Sequence, residues 1–195
     1  MHLKDKVILT DVDGVLFDWG YAFHQWMLRH GYKFNEGTET EYNVSRRYNT
    51  RNAKRNIRMF NESAQIRKLP PLRDAIKYVK KLHQEHGYVF HVITSLSTDA
   101  YSQHLRTKNL REMFGSSVFE RYVYLDTGAD KDEILKQYQD TGAWWIEDKP
   151  ENAIAGQNVG LNPLLMAHPF NEGDHGVPRV QNWKEIYEKI VGEQT

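Results

Sequence analysis

Four short apolar runs, each closing on polar or acidic residues, constrain this chain more than any other feature: VILTD from Val7, YVFHVITS from Tyr88, YVYLD from Tyr122 and AWWIED from Ala143. Continuous runs of this length suit strands covered on both faces. Between them lie stretches with helical signals, including DKDEILKQY and PPLRDAIKYVKKLHQEHG, in which Leu72, Ile76, Val79 and Leu82 precede a terminating Gly87. Strands alternating with helices imply an α/β fold, a parallel sheet with crossover helices. Ligands of such sheets gather at the carboxyl ends of the strands. Asp11, Thr94, Ser95, Glu147 and Asp148 all fall there.

The interval between the first two runs, residues 19–71, breaks the alternation, because it is too long for one crossover helix. It reads as helical and closes on LPPL. We read it as a small helical cap inserted after the first strand and covering the strand ends, with Pro70 and Pro71 stiffening its return. Residues 1–18 and 72–195 then form the core domain around the sheet. A chain of 195 residues is long enough for one domain with such an insert. Its 26 basic and 26 acidic residues balance, so no global field favours nucleic acid or an anionic membrane as partner. The lack of cysteine excludes disulfides, thiolate ligands and a cysteine nucleophile, and accords with a reducing compartment. No run is long enough to span a bilayer, and the first is too short for a signal peptide, so the expectation is a soluble cytoplasmic protein.

Acids at the end of a buried run pose a chemical question. In KVILTDVDGVLFDWGY, Asp11 and Asp13 occupy alternate positions of extended chain and address one neighbourhood. Their carboxylates repel each other and lose hydration, a cost that packing does not offset and a cation does. A calcium loop is excluded by Val15 and Phe17, where further oxygen ligands belong, and by Ala22, where a glutamate belongs. Glu147 and Asp148 raise the same question before Pro150, which opens a helix. In TGADKDEIL, Lys131 is expected just inside a helix capped by Asp130 with Glu133 completing a capping-box-like pair, and taken alone it reads as an ordinary solvated helix lysine. The histidines show no metal-ligand spacing tied to a strand end, and His168 in HPFN is the one expected beside the site.

In order along the chain, DVDGV, VITS, the lysine of ADK and WWIED resemble the motifs of the haloacid dehalogenase superfamily of aspartate-nucleophile phosphatases, and the resemblance covers nearly the whole sequence. It implies a Rossmann-like core and phosphoryl transfer through an aspartyl-phosphate. By the same resemblance Asp11 is the nucleophile and Asp13 the general acid and base, while Thr94, Ser95 and Lys131 hold the phosphate. Mg2+ would be held by the Asp11 and Asp148 carboxylates and the Asp13 backbone carbonyl. Many relatives carry two aspartates in the last motif where this chain has Glu147 and Asp148, so Asp148 is implied as the ligand, with Glu147 and Lys149 supporting it. A non-catalytic binding module on the same fold is the alternative of another class, and the occupied catalytic positions argue against it.

Within the superfamily the chain is most similar to the 5'(3')-deoxyribonucleotidases, through DVDGVLFDW, LPPL, TS, DK, EDKP, HPFN and VQNWKEI. That likeness implies a nucleoside monophosphate as substrate. EYNVS resembles the segment that lines the nucleobase pocket, so Trp19 and Tyr42 would pack on the base with Asn43 nearby, although an aromatic is common at the position of Asn43. Trp19, Phe23, Trp26, Met27 and His30 also fall at helical spacing, so core packing competes for Trp19. In SRRYNTRNAKRNIRM, Arg47, Arg51, Arg55 and Arg58 read as one helical face without acids. Either this face is solvated, or it binds the phosphates of a nucleic-acid end, which would make the enzyme a polynucleotide 3'-phosphatase. A sugar-phosphate phosphatase and a homodimer also stay open.

Overall fold

The apolar runs fold as neighbours in one sheet. The computed structural model describes residues 6–192 and contains β1 (Val7–Thr10), β2 (Val89–Ser95), β3 (Phe119–Leu125), β4 (Trp144–Glu147), β5 (Asn162–Met166) and β6 (Arg179–Val180). They lie in the order β3-β2-β1-β4-β5-β6, all parallel, so the first strand sits between β2 and β4 in the middle of the sheet. Every residue of β1 is buried, as a run covered on both faces requires. β3 departs from that expectation. It is the edge strand, and Arg121 to Leu125 stay partly exposed. β5 carries Pro163 opposite Trp145, and a proline inside a short run hides a strand from sequence reading.

The helices are α1 (Trp19–Arg29), α2 (Val44–Arg47), α3 (Ala53–Asn61), α4 (Ala75–His86), α5 (Ala100–Phe114), α6 (Asp132–Leu135), α7 (Pro150–Asn158) and α8 (Trp183–Gly192). α4 ends at Gly87, whose φ of 74° is the left-handed conformation that closes a helix at little cost in glycine. α7 opens on Pro150, which lacks the N–H that a first turn leaves unbonded anyway. α8 begins against Asp74, whose two carboxylate oxygens accept the backbone N–H groups of Trp183 and Lys184 at 3.0 Å each. The fully buried Trp183 then donates its indole N–H to the Val15 carbonyl at 2.8 Å.

Residues 19–71 contribute α1 to α3 and a 3-10 turn at Ala64–Lys68. The two ends of this segment run side by side, Asp18 N–H bonding the Pro70 carbonyl at 2.9 Å and Leu72 N–H the Leu16 carbonyl at 2.8 Å. Phe23, Trp26, Met27, Tyr48 and Phe60 pack in the same apolar cluster as Val12, Leu16 and Phe17 of the loop after β1. The expected arginine face does not form. α2 ends at Arg47, Asn49 takes a φ of 45°, and α3 restarts at Ala53, so the four arginines do not share one helix. Arg47 stacks over Phe34 and Tyr48 at 5.5 and 5.7 Å, and Arg58 pairs with Asp126, leaving Arg51 and Arg55 on the outer surface.

Candidate active site

β1 delivers Asp11 to the carboxyl end of the sheet, where its backbone N–H bonds the Ile146 carbonyl of β4 at 2.9 Å and its side chain is buried. The chain then folds back on itself, with the Val12 carbonyl accepting from Leu16 and Phe17 at 2.9 Å each. Gly14 makes this turn possible with a φ of +76°. It serves a second purpose: a Cβ at this position would stand 2.0 Å from Asp148 Oδ2, so only glycine lets that carboxylate lie against the loop.

β4 supplies the other acids. Glu147 Oε1 accepts the backbone N–H groups of Asp148 and Lys149 at 3.0 Å each, and Oε2 accepts Lys131 Nζ at 2.6 Å and Asn152 Nδ2 at 3.4 Å. Lys131 Nζ also stands 3.0 Å from Asp11 Oδ1. One oxygen from each of Asp11, Glu147 and Asp148 lies within 4.8 Å of the others. Asp130 does not cap the helix that follows Lys131. Lys131 itself holds the cap position of α6, and no side chain among the described residues caps it. The ammonium therefore enters the site from a loop, which lets it reach Asp11 and Glu147 together.

Three carboxylates, Asp11 and Glu147 buried and Asp148 half-buried, lie around one ammonium, and their protonation reflects the imbalance. Burial pushes the Asp11 carboxyl up to about 7, Lys131 pulls it back, and Glu147 and Asp13 push it further. Asp148 is raised well above the ordinary carboxylate range, again by burial first and then by Glu147 and Asp11. Burial works against the charge of Lys131, but Asp11 and Glu147 outweigh it and keep the amine protonated. Glu147 has its acceptors engaged by protein donors, whereas Asp11 and Asp148 keep oxygens to offer. A set of hard oxygen donors carrying surplus negative charge fits a divalent cation.

Thr94, at the end of β2, is buried and its hydroxyl has no partner among the described residues. The Ser95 hydroxyl is engaged, donating to the Ala129 carbonyl at 2.7 Å and so tying down the loop that carries Lys131. Lys149 takes part through its backbone N–H. Asp13 stays out of the carboxylate group and pairs instead with Arg106, Nη1 to Oδ1 at 2.6 Å. His168 is beside the site, its Nε2 2.6 Å from the Gly14 carbonyl, while Asn171 donates to the carbonyls of Asp148 at 2.7 Å and Met166 at 2.8 Å. The HPFN turn thus straps the loop after β1 to the end of β4.

The three residues expected at the nucleoside are spread over different environments. Trp19 is partly buried, stacked on Phe23 at 4.6 Å and donating to Asn61 Oδ1 at 2.9 Å, so the helical stripe accounts for one face of its ring. Tyr42 exposes 58% of its surface and leans on Phe170 at 5.1 Å. Burial around its hydroxyl, followed by the charges of Asp148, Glu147 and Asp11, pushes that phenol up. Asn43 spends its side-chain oxygen on capping α2, accepting from Ser45 N–H at 2.9 Å.

Comparison with known proteins decides the family. Residues 5–195 match the family described as 5' nucleotidase, deoxy (pyrimidine), cytosolic type C protein. The chain belongs to this nucleotidase family. It is a phosphoric monoester hydrolase on the haloacid dehalogenase fold. A haloacid dehalogenase-like hydrolase from Streptococcus pneumoniae superposes with a TM-score of 0.68 at 14% identity, covering 95% of this chain and 98% of the other. A predicted phosphatase from Clostridium acetobutylicum gives 0.67 at 14% identity, with 96% and 98% covered. D,D-heptose 1,7-bisphosphate phosphatase of B. bronchiseptica, complexed with magnesium and phosphate, gives 0.58 at 14% identity with 96% and 99% covered. No curated protein sequence matches the chain significantly. Among the described residues no helix is long and apolar enough to cross a membrane.

Sequence reading missed Arg106 and Asn171. The signal for Arg106 was present: the buried face of α5 runs Ser102, Leu105, Arg106, Asn109, Leu110, Phe114, a helical stripe interrupted by a guanidinium and an amide.

Proposed function

We propose that this nucleotidase-family protein dephosphorylates nucleoside monophosphates, as a 5'(3')-deoxyribonucleotidase does, with Mg2+ and through an aspartyl-phosphate on Asp11. The observation that carries the reading is the cluster of Asp11, Glu147 and Asp148 with a single buried ammonium paired to the first two, which leaves negative charge for a cation and a nucleophile beside it. Asp11 and Asp148, with the Asp13 backbone carbonyl, would hold the ion, which supplies the charge neutralisation that lets two anions meet.

An Asp11 oxygen attacks phosphorus as the ester bond breaks. Lys131, kept protonated and buried, stabilises charge on the phosphoryl oxygens together with the Thr94 hydroxyl, which has no other partner among the described residues, and a Ser95 backbone N–H. Glu147 holds Lys131 and, through two backbone N–H groups, the start of the loop bearing Asp148. Asp13 gives a proton to the leaving oxygen and later takes one from the water that cleaves the acyl phosphate. Residues 19–71 act as a cap over this centre. Tyr42, which keeps 58% of its surface exposed, would pack on the nucleobase together with Trp19, and Asn43 would lie nearby.

The test is a substrate panel with and without Mg2+: dUMP, dTMP, their 3' isomers, a sugar phosphate and a 3'-phosphorylated oligonucleotide. Nucleoside monophosphates are expected to turn over with Mg2+ and to stop in EDTA. Turnover of sugar phosphates alone would remove the substrate class and leave the chemistry. Undiminished phosphate release by purified Asp11→Asn would remove the nucleophile.

A further inference from the structure

The chemistry above leaves one buried charge unused. Arg106, on α5, has none of its surface exposed, and its Nε has no partner among the described residues. Its two terminal nitrogens both meet Asp13, Nη1 to Oδ1 at 2.6 Å and Nη2 to Oδ2 at 3.3 Å. Asp13 keeps 20% of its side chain exposed. The carboxylate stands only two positions from Asp11 yet lies outside the group that Asp11 forms with Glu147 and Asp148. A cation drawn to that group would also attract a free Asp13 side chain, and a carboxylate turned onto the ion no longer faces the leaving oxygen. A short, charge-assisted bond from a rigid guanidinium prevents the capture.

We propose that Arg106 is a positioning residue that holds the Asp13 carboxyl away from the cation, with Oδ1 anchored and Oδ2 left to carry the proton. The unequal distances support this division: Nη1 holds Oδ1 firmly at 2.6 Å, and the 3.3 Å bond from Nη2 is the weaker one, which yields when Oδ2 takes the proton. The inference rests on the phosphatase mechanism proposed above. In the first step the Asp11–phosphorus bond forms, the phosphorus–ester bond breaks, and the proton on Asp13 Oδ2 passes to the departing alkoxide. In the second, water oxygen bonds phosphorus, the Asp11–phosphorus bond breaks, and the proton of that water returns to Oδ2. Oδ1 stays on Arg106 throughout, so the side chain keeps one orientation for both transfers.

Arg106→Met removes the charge and keeps the bulk of the stem; Arg106→Lys restores the charge. Single-turnover rates are measured with dUMP and with p-nitrophenyl phosphate, whose leaving phenolate departs without a proton. The expected result for Arg106→Met is a loss of phosphoenzyme formation from dUMP of about 100-fold or more, KM changing less than about 3-fold, and a loss of under about 10-fold with the aryl ester. Arg106→Lys is expected to recover part of the loss on dUMP. Equal losses on the two esters would show that Arg106 only pins α5 to the loop, and an unchanged dUMP rate would also overturn the proposal. If Arg106→Met fails to fold, the ratio of the two losses is read on Arg106→Lys instead, with the same two outcomes deciding. Wild-type protein inert toward both esters with Mg2+ would instead overturn the mechanism on which the inference rests.

Discussion

The floor of the site and the seam above it hold charge in opposite ways. At the floor, Lys131 and Glu147 are 2% and 1% exposed and locked at 2.6 Å, with Asp11 beside them. At the seam, Arg58 of α3 reaches Asp126 after β3 with 41% and 45% of the two side chains exposed, and Tyr42 touches Phe170 with most of its ring in solvent. Burial makes each floor contact costly to break and leaves its carboxylates short of cations. Solvent makes the seam contacts cheap to break. A phosphotransfer centre benefits from the first condition, since fixed charges need no reorganisation during reaction. Substrate entry benefits from the second. The helical segment is tied more firmly close by, through Asn61 to the Leu96 carbonyl at 2.9 Å and Ser97 to Glu62 at 2.6 Å, so the weak edge does not rest on the exposed pairs alone.

The contrast can be broken most severely at Asp11. Asp11→Asn is expected to reduce phosphate release by about four orders of magnitude or more, while raising the thermal midpoint of metal-free protein because one member of the repelling group is gone. A midpoint that fell would contradict the electrostatic account even if activity vanished. Removing the ammonium tests the same floor from the other side. Lys131→Met leaves Asp11 and Glu147 without their buried cation and is expected to cost about 3–5 kcal/mol in urea unfolding.

pH gives a graded version. The folded-state Asp11 titrates at about 7, above the value of about 4 for an unfolded aspartate, so between these values the native state binds more protons than the unfolded one. Stability of metal-free protein is therefore expected to fall as pH rises from about 4 to about 7, with Asp148 acting in the same direction. Saturating Mg2+ is expected to flatten that slope, and urea titrations across the window with EDTA or Mg2+ would show a parallel fall in both series if the carboxylates did not share an ion. The smallest effect belongs to the seam: Arg58→Ala is expected to shift unfolding by no more than about 1 kcal/mol. A larger shift in the urea midpoint would mean that the seam is not the weak edge described above.

Much of the floor was legible in the chain because its residues end apolar runs or open a helix. Asp11, Thr94, Glu147 and Asp148 could be located at strand ends from the runs alone, whereas Lys131 stood out only through the likeness of its segment to the family's motif. The details around them were less accessible. Lys131 occupies the cap position that Asp130 was expected to fill, a one-residue difference that local propensity does not resolve. Pro163 concealed β5, and the left-handed Asn49 split what read as a single arginine face. Arg106 went unread because a polar residue within an apolar helical stripe declares only that it needs a partner, not which one.

Alternating buried strands and helices, and the placement of acids at strand ends, followed from the sequence, since both depend on residues close together in the chain. Which carboxylate receives which cation was decided by tertiary structure. Arg106 meets Asp13 across 93 positions, and Lys131 meets Glu147 across 16. Coulomb energy falls with distance in space and is strengthened by the loss of water, and neither quantity exists until the sheet has closed over its own ends.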